Sequence, residues 1–160
     1  MTIASVEGNS EQIEAVRELW SEYWESLGFT PEFQSFADEL KGLPGKYQPP
    51  AGCLLLLYIG GVTAGTAALR PLHGTACEIK RLFVRPASRG RGAARRLMEA
   101  LIDEARRIGY TTMFADTLPD MAAALRLYRD LGFEEVEPYS DAPTPDAVYL
   151  RLKLEQSHPH

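Results

Sequence analysis

The 160-residue sequence predicts one domain of the α/β class, of the α+β type: a mixed, mostly antiparallel central sheet with helices on both faces. Two observations lead to this prediction. Strand-like segments in the middle of the chain are joined by a two-glycine turn, which is typical of an antiparallel hairpin. Farther along, strand-like and helix-like segments alternate, which is typical of helices that cover a sheet.

The N-terminal part of the chain is predicted to form one strand and two helices. The strand is Thr2 to Val6. Asn9 or Ser10 then caps a helix whose apolar residues recur at helical spacing until Gly28. A second helix starts at Thr30-Pro31, because a capping threonine followed by proline is a common helix start.

Three strands follow in the middle of the chain. Cys53 to Ile59 and Val62 to Arg70 are predicted to form a hairpin, because Gly60-Gly61 supplies the positive φ angles that a tight turn requires. A third strand runs from Ala76 to Val84.

The second half of the chain alternates between helices and strands. A strongly amphipathic helix extends from Ala94 to its stop at Gly109. The elements expected after it are a strand at Thr111 to Ala115, a helix at Pro119 to Leu131, and strands at Phe133 to Val136 and Ala147 to Leu154. The domain therefore spans residues 1–155, and residues 156–160 are expected to be a flexible tail.

Composition restricts the function. The net charge is −5 and the pI is near 5.2, which argues against nucleic acid or an anionic membrane as a partner. No secretory signal and no apolar run of membrane-spanning length is seen, and a cytoplasmic protein is expected. Cys53 and Cys77 are expected to be buried, and no metal site is expected because ligand spacing is absent.

The most informative motif is Arg89-Gly90-Arg91-Gly92-Ala93-Ala94, which follows a strand and opens the amphipathic helix. The first amides of a helix lack intrahelical acceptors and lie at the positive end of its dipole, so they bind anions. The arginines expected to surround this helix start are Arg85, Arg89, Arg91, Arg95 and Arg96. The motif is neither a P-loop nor a dinucleotide fingerprint, and a tight turn with no ligand is the alternative.

Further motifs lie on both sides of this loop, in the segments Glu78 to Pro86 and Leu125 to Phe133. Arg89, Gly92 and Ala94 fit the signature Arg/Gln-x-x-Gly-x-Gly/Ala, and Leu127-Tyr128 through Gly132-Phe133 fits a later helix-to-strand element. Together the segments resemble the GNAT superfamily of acyl-CoA-dependent N-acetyltransferases. The resemblance covers Glu78 to Phe133, and the flanks agree with a GNAT-like sheet in layout only.

The resemblance implies that acetyl-CoA is the co-substrate. It also implies a bulge in the third strand, where main-chain N–H groups near Leu82 or Phe83 polarise the thioester oxygen. The coenzyme-binding residues implied in this way are Leu82, Phe83, Val84, Arg89, Gly90, Arg91, Gly92, Ala93, Ala94 and Arg95.

Two catalytic residues are implied by the resemblance. Glu78 is the candidate general base for the amine, and its alternative is an exposed strand carboxylate paired with Lys80 or Arg81. Tyr128 is the candidate acid for the coenzyme A thiolate, and its alternative is an aromatic core residue of the helix. Strand alternation places Glu78, Lys80 and Leu82 on one face and Ile79, Arg81 and Phe83 on the other, unless a bulge intervenes.

The acceptor contacts are implied less specifically. Relatives build the acceptor pocket from the first two helices and from the loop at Pro138 to Asp146, where Tyr23, Tyr139 and Asp141 are candidates. Aromatic and acidic side chains suit an amine, although aromatic residues at helical spacing are more often core.

The function predicted from these residues is N-acetyl transfer from acetyl-CoA to a primary amine of a small molecule or peptide, by direct attack in a ternary complex. The alternative is a non-catalytic regulatory module of the same fold that binds acetyl-CoA. The presence of both Glu78 and Tyr128 favours the enzyme. Exposed apolar residues would be the face of a homodimer.

Overall fold

The computed structural model describes residues 1–27, 41–43, 45–47, 49–117, 122–138 and 147–154. The strands in chain order are β1 (Thr2–Ser5), β2 (Cys53–Ile59), β3 (Val62–Pro71), β4 (Ala76–Val84), β5 (Thr112–Thr117), β6 (Glu134–Val136) and β7 (Val148–Lys153). The α-helices are α1 (Ser10–Leu27), α2 (Ala93–Ile108) and α3 (Ala122–Asp130), with 3₁₀ turns at Gly45–Tyr47 and Pro86–Ser88.

The strands form one seven-stranded sheet in the order β1-β2-β3-β4-β5-β7-β6. Of the neighbouring strands described, β4 and β5 are parallel and the other pairs are antiparallel. The predicted mixed, mostly antiparallel sheet is therefore confirmed. The β4–β5 pairing extends only from Ala76↔Thr112 to Glu78↔Phe114, although both strands continue beyond it. The sheet consequently opens between β4 and β5 on the carboxyl side of Glu78.

Helices cover both faces of the sheet, as predicted. Val16, Leu19 and Trp20 of α1 are fully buried in a core cluster with β2 and Phe83 of β4. The α2 side chains enter a second core cluster on the other face, together with residues of β2 to β5 and α3. In the described ranges, no helix has both the length and the apolar character that crossing a membrane requires.

The short-range signals of the sequence produce the expected turns. Asn9 Oδ1 accepts hydrogen bonds from the backbone N–H groups of Glu11 (2.9 Å) and Gln12 (3.3 Å), so Asn9 caps α1. Gly60 and Gly61 have φ angles of 60° and 81° and close the β2–β3 hairpin. The helix start and the hairpin turn therefore form where the sequence predicted them, the first through a capping side chain and the second through the positive φ angles of glycine.

Both cysteines lie in the core, as predicted. Cys53 and Cys77 are unpaired and buried. Burial raises the pKa of each thiol to about 12, so neither is a thiolate at neutral pH.

Several predicted features lie outside the described residues. These are the helix stop at Gly28, the second helix from Thr30-Pro31, the start of the Pro119 helix and the tail 156–160. The described part of the Pro119 to Leu131 helix is α3, and the last two strands each fall within the predicted ranges.

Leu97→Ala is expected to destabilise the domain by about 2–5 kcal/mol, because Leu97 is fully buried between α2 and the sheet and its removal leaves a cavity. Val62→Ala is the control, since Val62 is 64% exposed and its truncation should cost less than about 0.5 kcal/mol. Chemical denaturation of both variants measures the difference, and equal losses would contradict the assigned core.

Candidate active site

Strand β4 contains a β-bulge at Arg81 and Leu82. Lys80 pairs with Ala68 and Phe83 pairs with Thr66, so two residues of β4 stand opposite Ala67 alone. Arg81 has a φ of 60°, and in the described backbone it is the one residue other than glycine with a positive φ. A bulge leaves its extra residue outside the hydrogen-bond ladder, which makes main-chain N–H groups available at this point of the strand.

The bulge, which the resemblance implied, replaces the alternation of faces that was expected for a strand without one. Leu82 packs against the α2 cluster, and Phe83 packs against α1 with its ring centroid 5.7 Å from that of Tyr23. Arg81 stacks over the Trp20 ring at 5.6 Å, also on the α1 side. The extra residue reverses the alternation, so that Arg81 and Phe83 share the α1 face with Glu78 instead of opposing it.

The start of α2 has the geometry of an anion site. Gly92 is the N-cap with a φ of 78°, it makes no side-chain capping bond, and an added Cβ would meet nothing within 4 Å. The helical hydrogen bonds begin with Arg96 N–H donating to the Gly92 carbonyl at 3.1 Å. The amides of residues 93–95 therefore precede the ladder, at the positive end of the α2 dipole.

The arginines around this loop do not all converge on it. Arg85 turns away to α1, where its guanidinium bonds Glu22 at 2.8 Å and Glu18 at 3.0 Å; these carboxylates raise its pKa. The expectation that Arg85 surrounds the helix start is therefore wrong, because paired carboxylates on α1 bind it. Arg89 Nε donates to the Val84 carbonyl at 2.9 Å, and Arg95 lies 3.8 Å from Asp130.

A cleft of about 730 Å³ opens between the bulge, the loop and α3. It is lined by Leu82, Phe83, Val84, Arg89, Gly90, Gly92, Ala93, Ala94 and Arg95 among the residues that the sequence predicted for the coenzyme. Tyr23 and Ser26 of α1 also line the cleft, as do the α3 residues Ala123, Arg126 and Leu127. Arg91 is exposed and lies outside the lining.

Most of the chain matches a known family. The model of the acetyltransferase (GNAT) family matches residues 13–133. The chain belongs to the GNAT acetyltransferase family. An uncharacterised N-acetyltransferase of Schizosaccharomyces pombe is 37% identical over 146 residues, 90% of each chain. By membership, this GNAT protein is classed with the acyltransferases.

Solved structures show the same fold. An acetyltransferase of Streptococcus agalactiae has a TM-score of 0.80 at 20% identity, with 96% of this chain and 98% of that chain covered. An acetyltransferase of Salmonella typhimurium, solved with its cofactor acetyl-CoA, has a TM-score of 0.68 at 23% identity, with 100% and 98% covered.

Glu78 of the GNAT protein lies at the point where β4 and β5 separate. Its side chain is buried, with 2% of the residue exposed, rather than the exposed strand carboxylate of the alternative interpretation. Oε1 accepts hydrogen bonds from Arg70 Nε at 2.7 Å and lies 2.5 Å from Arg70 Nη2. Oε2 lies 3.4 Å from Lys80 Nζ. The carboxylate is thus held between two cations at the apex of the opening.

Tyr128 is buried next to the cleft-lining residue Leu127 and is not itself among the lining residues, which agrees with its core interpretation. Its ring packs edge-on against Phe133 at 5.1 Å within the α2 cluster. Burial, and secondarily the nearby Tyr23 and Asp116, raise the pKa of Tyr128. Burial likewise raises the pKa of Tyr23, while Arg81 lowers it. Both phenols therefore keep their protons at neutral pH, as a proton donor must.

Of the two residues that position Glu78, sequence reasoning named Lys80 as a partner and missed Arg70. Arg70 stands opposite Glu78 in the β3–β4 register, and Lys80 bridges Glu78 to Asp116 Oδ1 at 3.4 Å across the opened strands. The hairpin register would have placed Arg70 there, since Gly60-Gly61 and the β3–β4 turn fix the strand pairing. Of the predicted acceptor residues, Tyr23 lines the cleft, whereas Tyr139 and Asp141 lie outside the described residues.

Proposed function

We propose that this protein is an N-acetyltransferase that moves the acetyl group of acetyl-CoA to a primary amine within a ternary complex. The observation that carries the proposal is the shared cleft. The bulge of β4 and the uncapped start of α2 line one cavity, next to the separation of β4 from β5.

One part of the cleft suits the pyrophosphate of acetyl-CoA, and another part suits its pantetheine. The amides of residues 93–95 and the Arg89 and Arg95 side chains offer positive charge to a pyrophosphate. Leu82, Phe83 and Val84 give an apolar wall for the pantetheine. A GNAT relative of the same fold binds acetyl-CoA, which supports the same ligand here.

The proposed step exchanges a C–S bond for a C–N bond. The neutral amine attacks the thioester carbonyl carbon, whose oxygen is polarised by main-chain N–H groups at the Leu82–Phe83 bulge. The amine loses a proton to Glu78 through water, because the carboxylate is buried between Arg70 and Lys80. The C–S bond then breaks, and Tyr128 donates a proton to the departing thiolate.

A non-catalytic acetyl-CoA-binding module of the same fold is the second candidate. Its supporting observation is that Glu78 and Tyr128 are both packed as structural residues would be. The two candidates differ in turnover: the module binds acetyl-CoA and releases no thiol with any amine.

Gly92→Glu is expected to raise the Kd for acetyl-CoA at least roughly tenfold, since it sets a carboxylate at the helix start that would hold the pyrophosphate. Gly74→Glu is the matched control: its φ of 53° gives comparable backbone strain, and an added Cβ also meets nothing within 4 Å. Gly74 lies in the β3–β4 turn, at the other end of β4.

Calorimetric titration of acetyl-CoA measures binding, and thiol release against a panel of amines measures turnover. Loss of binding only in Gly92→Glu, with turnover in the wild type, supports the enzyme. Binding without turnover supports the regulatory module, and a wild type that does not bind acetyl-CoA refutes both.

A further inference from the structure

A row of side chains crosses five strands on the sheet face opposite α2 and α3. Successive register partners in this row are Arg70, Glu78, Phe114, Arg151 and Glu134. Their sequence neighbours, including Cys77, Met113 and Leu150, belong to the α2 cluster on the other face. Because side chains alternate along a strand, the row projects away from α2, on the same face as the candidate base.

Arg151 is the member of this row that has a buried donor without a described acceptor. Its Nε atom is buried and has no hydrogen-bond partner in the part of the chain that the structure describes. Glu134, its register partner on β6, is exposed and forms no described ion pair with it. By contrast, the Arg70 guanidinium at the other end of the row is paired with Glu78.

The buried Nε–H of Arg151, without a described acceptor on a half-buried side chain, favours an anion beside it. Arginine stays charged and presents a planar fork of donors, so a buried N–H without an acceptor costs free energy until one binds. The anion that matches this fork in two parallel hydrogen bonds is a carboxylate or a phosphate. The distance between Arg151 and Glu78 favours the carboxylate over the phosphate.

Arg151 and Glu78 stand on either side of Phe114, two strands apart. Neighbouring strands are about 4.8 Å apart, so the two backbones are separated by roughly 10 Å, with Phe114 between them on the same face of the sheet. A small ligand that places its amine toward Glu78 and a carboxylate toward Arg151 lies across an apolar ring. This arrangement fits a zwitterion of the size of an amino acid.

We propose that the acceptor is a free α-amino acid and that Arg151 binds its carboxylate. The inference rests on the proposed acetyltransferase activity and specifies its substrate class. Arg151 is then a binding residue for the acceptor, and the Phe114 ring is the surface beneath the acceptor.

The test compares each L-amino acid with its own C-terminal amide as acceptor, in a thiol-release assay at saturating acetyl-CoA. The amide keeps the amine and the side chain but removes the negative charge. We expect the best amino acid to have a kcat/KM at least about tenfold above that of its amide, mainly through KM, because one charge-assisted pair is lost.

Arg151→Ala should raise KM for the amino acid and bring the two kcat/KM values to near parity, with kcat changed little. Arg151→Lys keeps the charge without the planar fork and should give an intermediate ratio. Lys153→Ala is the matched control, since Lys153 is an exposed cation on the same strand and the same face. It should keep the wild-type ratio.

A wild-type enzyme that acetylates the amides as well as the acids would overturn the inference while leaving the acetyltransferase intact, and this comparison needs no variant. A ratio unchanged in Arg151→Ala would overturn it too, as would turnover of peptides or other amines with no turnover of amino acids. Failure to bind acetyl-CoA is distinguishable, because it removes the proposed function itself.

Discussion

Tyr128→Phe is expected to lower kcat by roughly 10²–10³-fold while the Kd for acetyl-CoA stays within about twofold of the wild type. The phenylalanine keeps the ring that packs against Phe133, so the core contact survives and only the hydroxyl is removed. Because burial raises the pKa of Tyr128, the wild-type hydroxyl carries the proton that the thiolate needs over the whole neutral range.

Tyr110→Phe is the control that separates an acid from a core tyrosine. The Tyr110 hydroxyl donates to the Ala51 carbonyl at 2.7 Å, so Tyr110 is a buried tyrosine whose hydroxyl has a structural role. Its removal should cost about 1 kcal/mol of stability and leave kcat unchanged. Stopped-flow thiol release and denaturant melts measure both variants. If Tyr128→Phe keeps full kcat, Tyr128 serves only the core.

The sequence was sufficient for the elements whose signals are local. The Asn9 cap, the Gly60-Gly61 turn and the Gly92 helix start each depend on a few adjacent residues, and all three appear where they were predicted. The cleft lining followed from the same local motifs, since the loop and the strand end are joined by a short segment.

The features that residue patterns alone could not predict depend on partners distant in sequence. The Arg85 side chain is drawn to Glu18 and Glu22 on a helix more than sixty residues earlier, so the arginine-rich loop could not reveal its direction. The bulge at Arg81 is a property of the pairing with β3, and only the resemblance implied it; with the bulge present, the alternation expected for a regular strand does not hold for Arg81 and Phe83. One inserted residue reverses every side chain beyond it.

Burial of Glu78 also depends on residues that are distant from it in sequence. Glu78 is polar and is followed by Lys80 and Arg81, so its sequence context indicates an exposed ion pair. The β3 register instead supplies Arg70, and the opening toward β5 supplies Lys80 with its second partner Asp116. Burial of a carboxylate is tolerated when it is paired and hydrogen-bonded, and Glu78 satisfies both conditions.

Glu78→Gln is expected to lower kcat/KM by roughly 10²-fold or more at neutral pH, because glutamine fills the same space but accepts no proton from the amine. The amide also leaves Arg70 and Lys80 without their shared carboxylate, so some loss of stability is expected as well. Activity alone therefore does not distinguish a base from a structural ion pair.

The pH dependence makes that distinction. Without a base, only acceptor molecules that are already neutral react, and their fraction rises about tenfold per pH unit as long as the pH is below the pKa of the acceptor amine. The deficit of Glu78→Gln relative to the wild type should therefore shrink steadily as the pH is raised from 7 to 9. An ion pair that only holds β3 to β4 predicts a deficit that is constant with pH, together with a lowered melting temperature. A constant deficit, measured below that melting temperature, would show that Glu78 is not the general base and that the amine loses its proton to water.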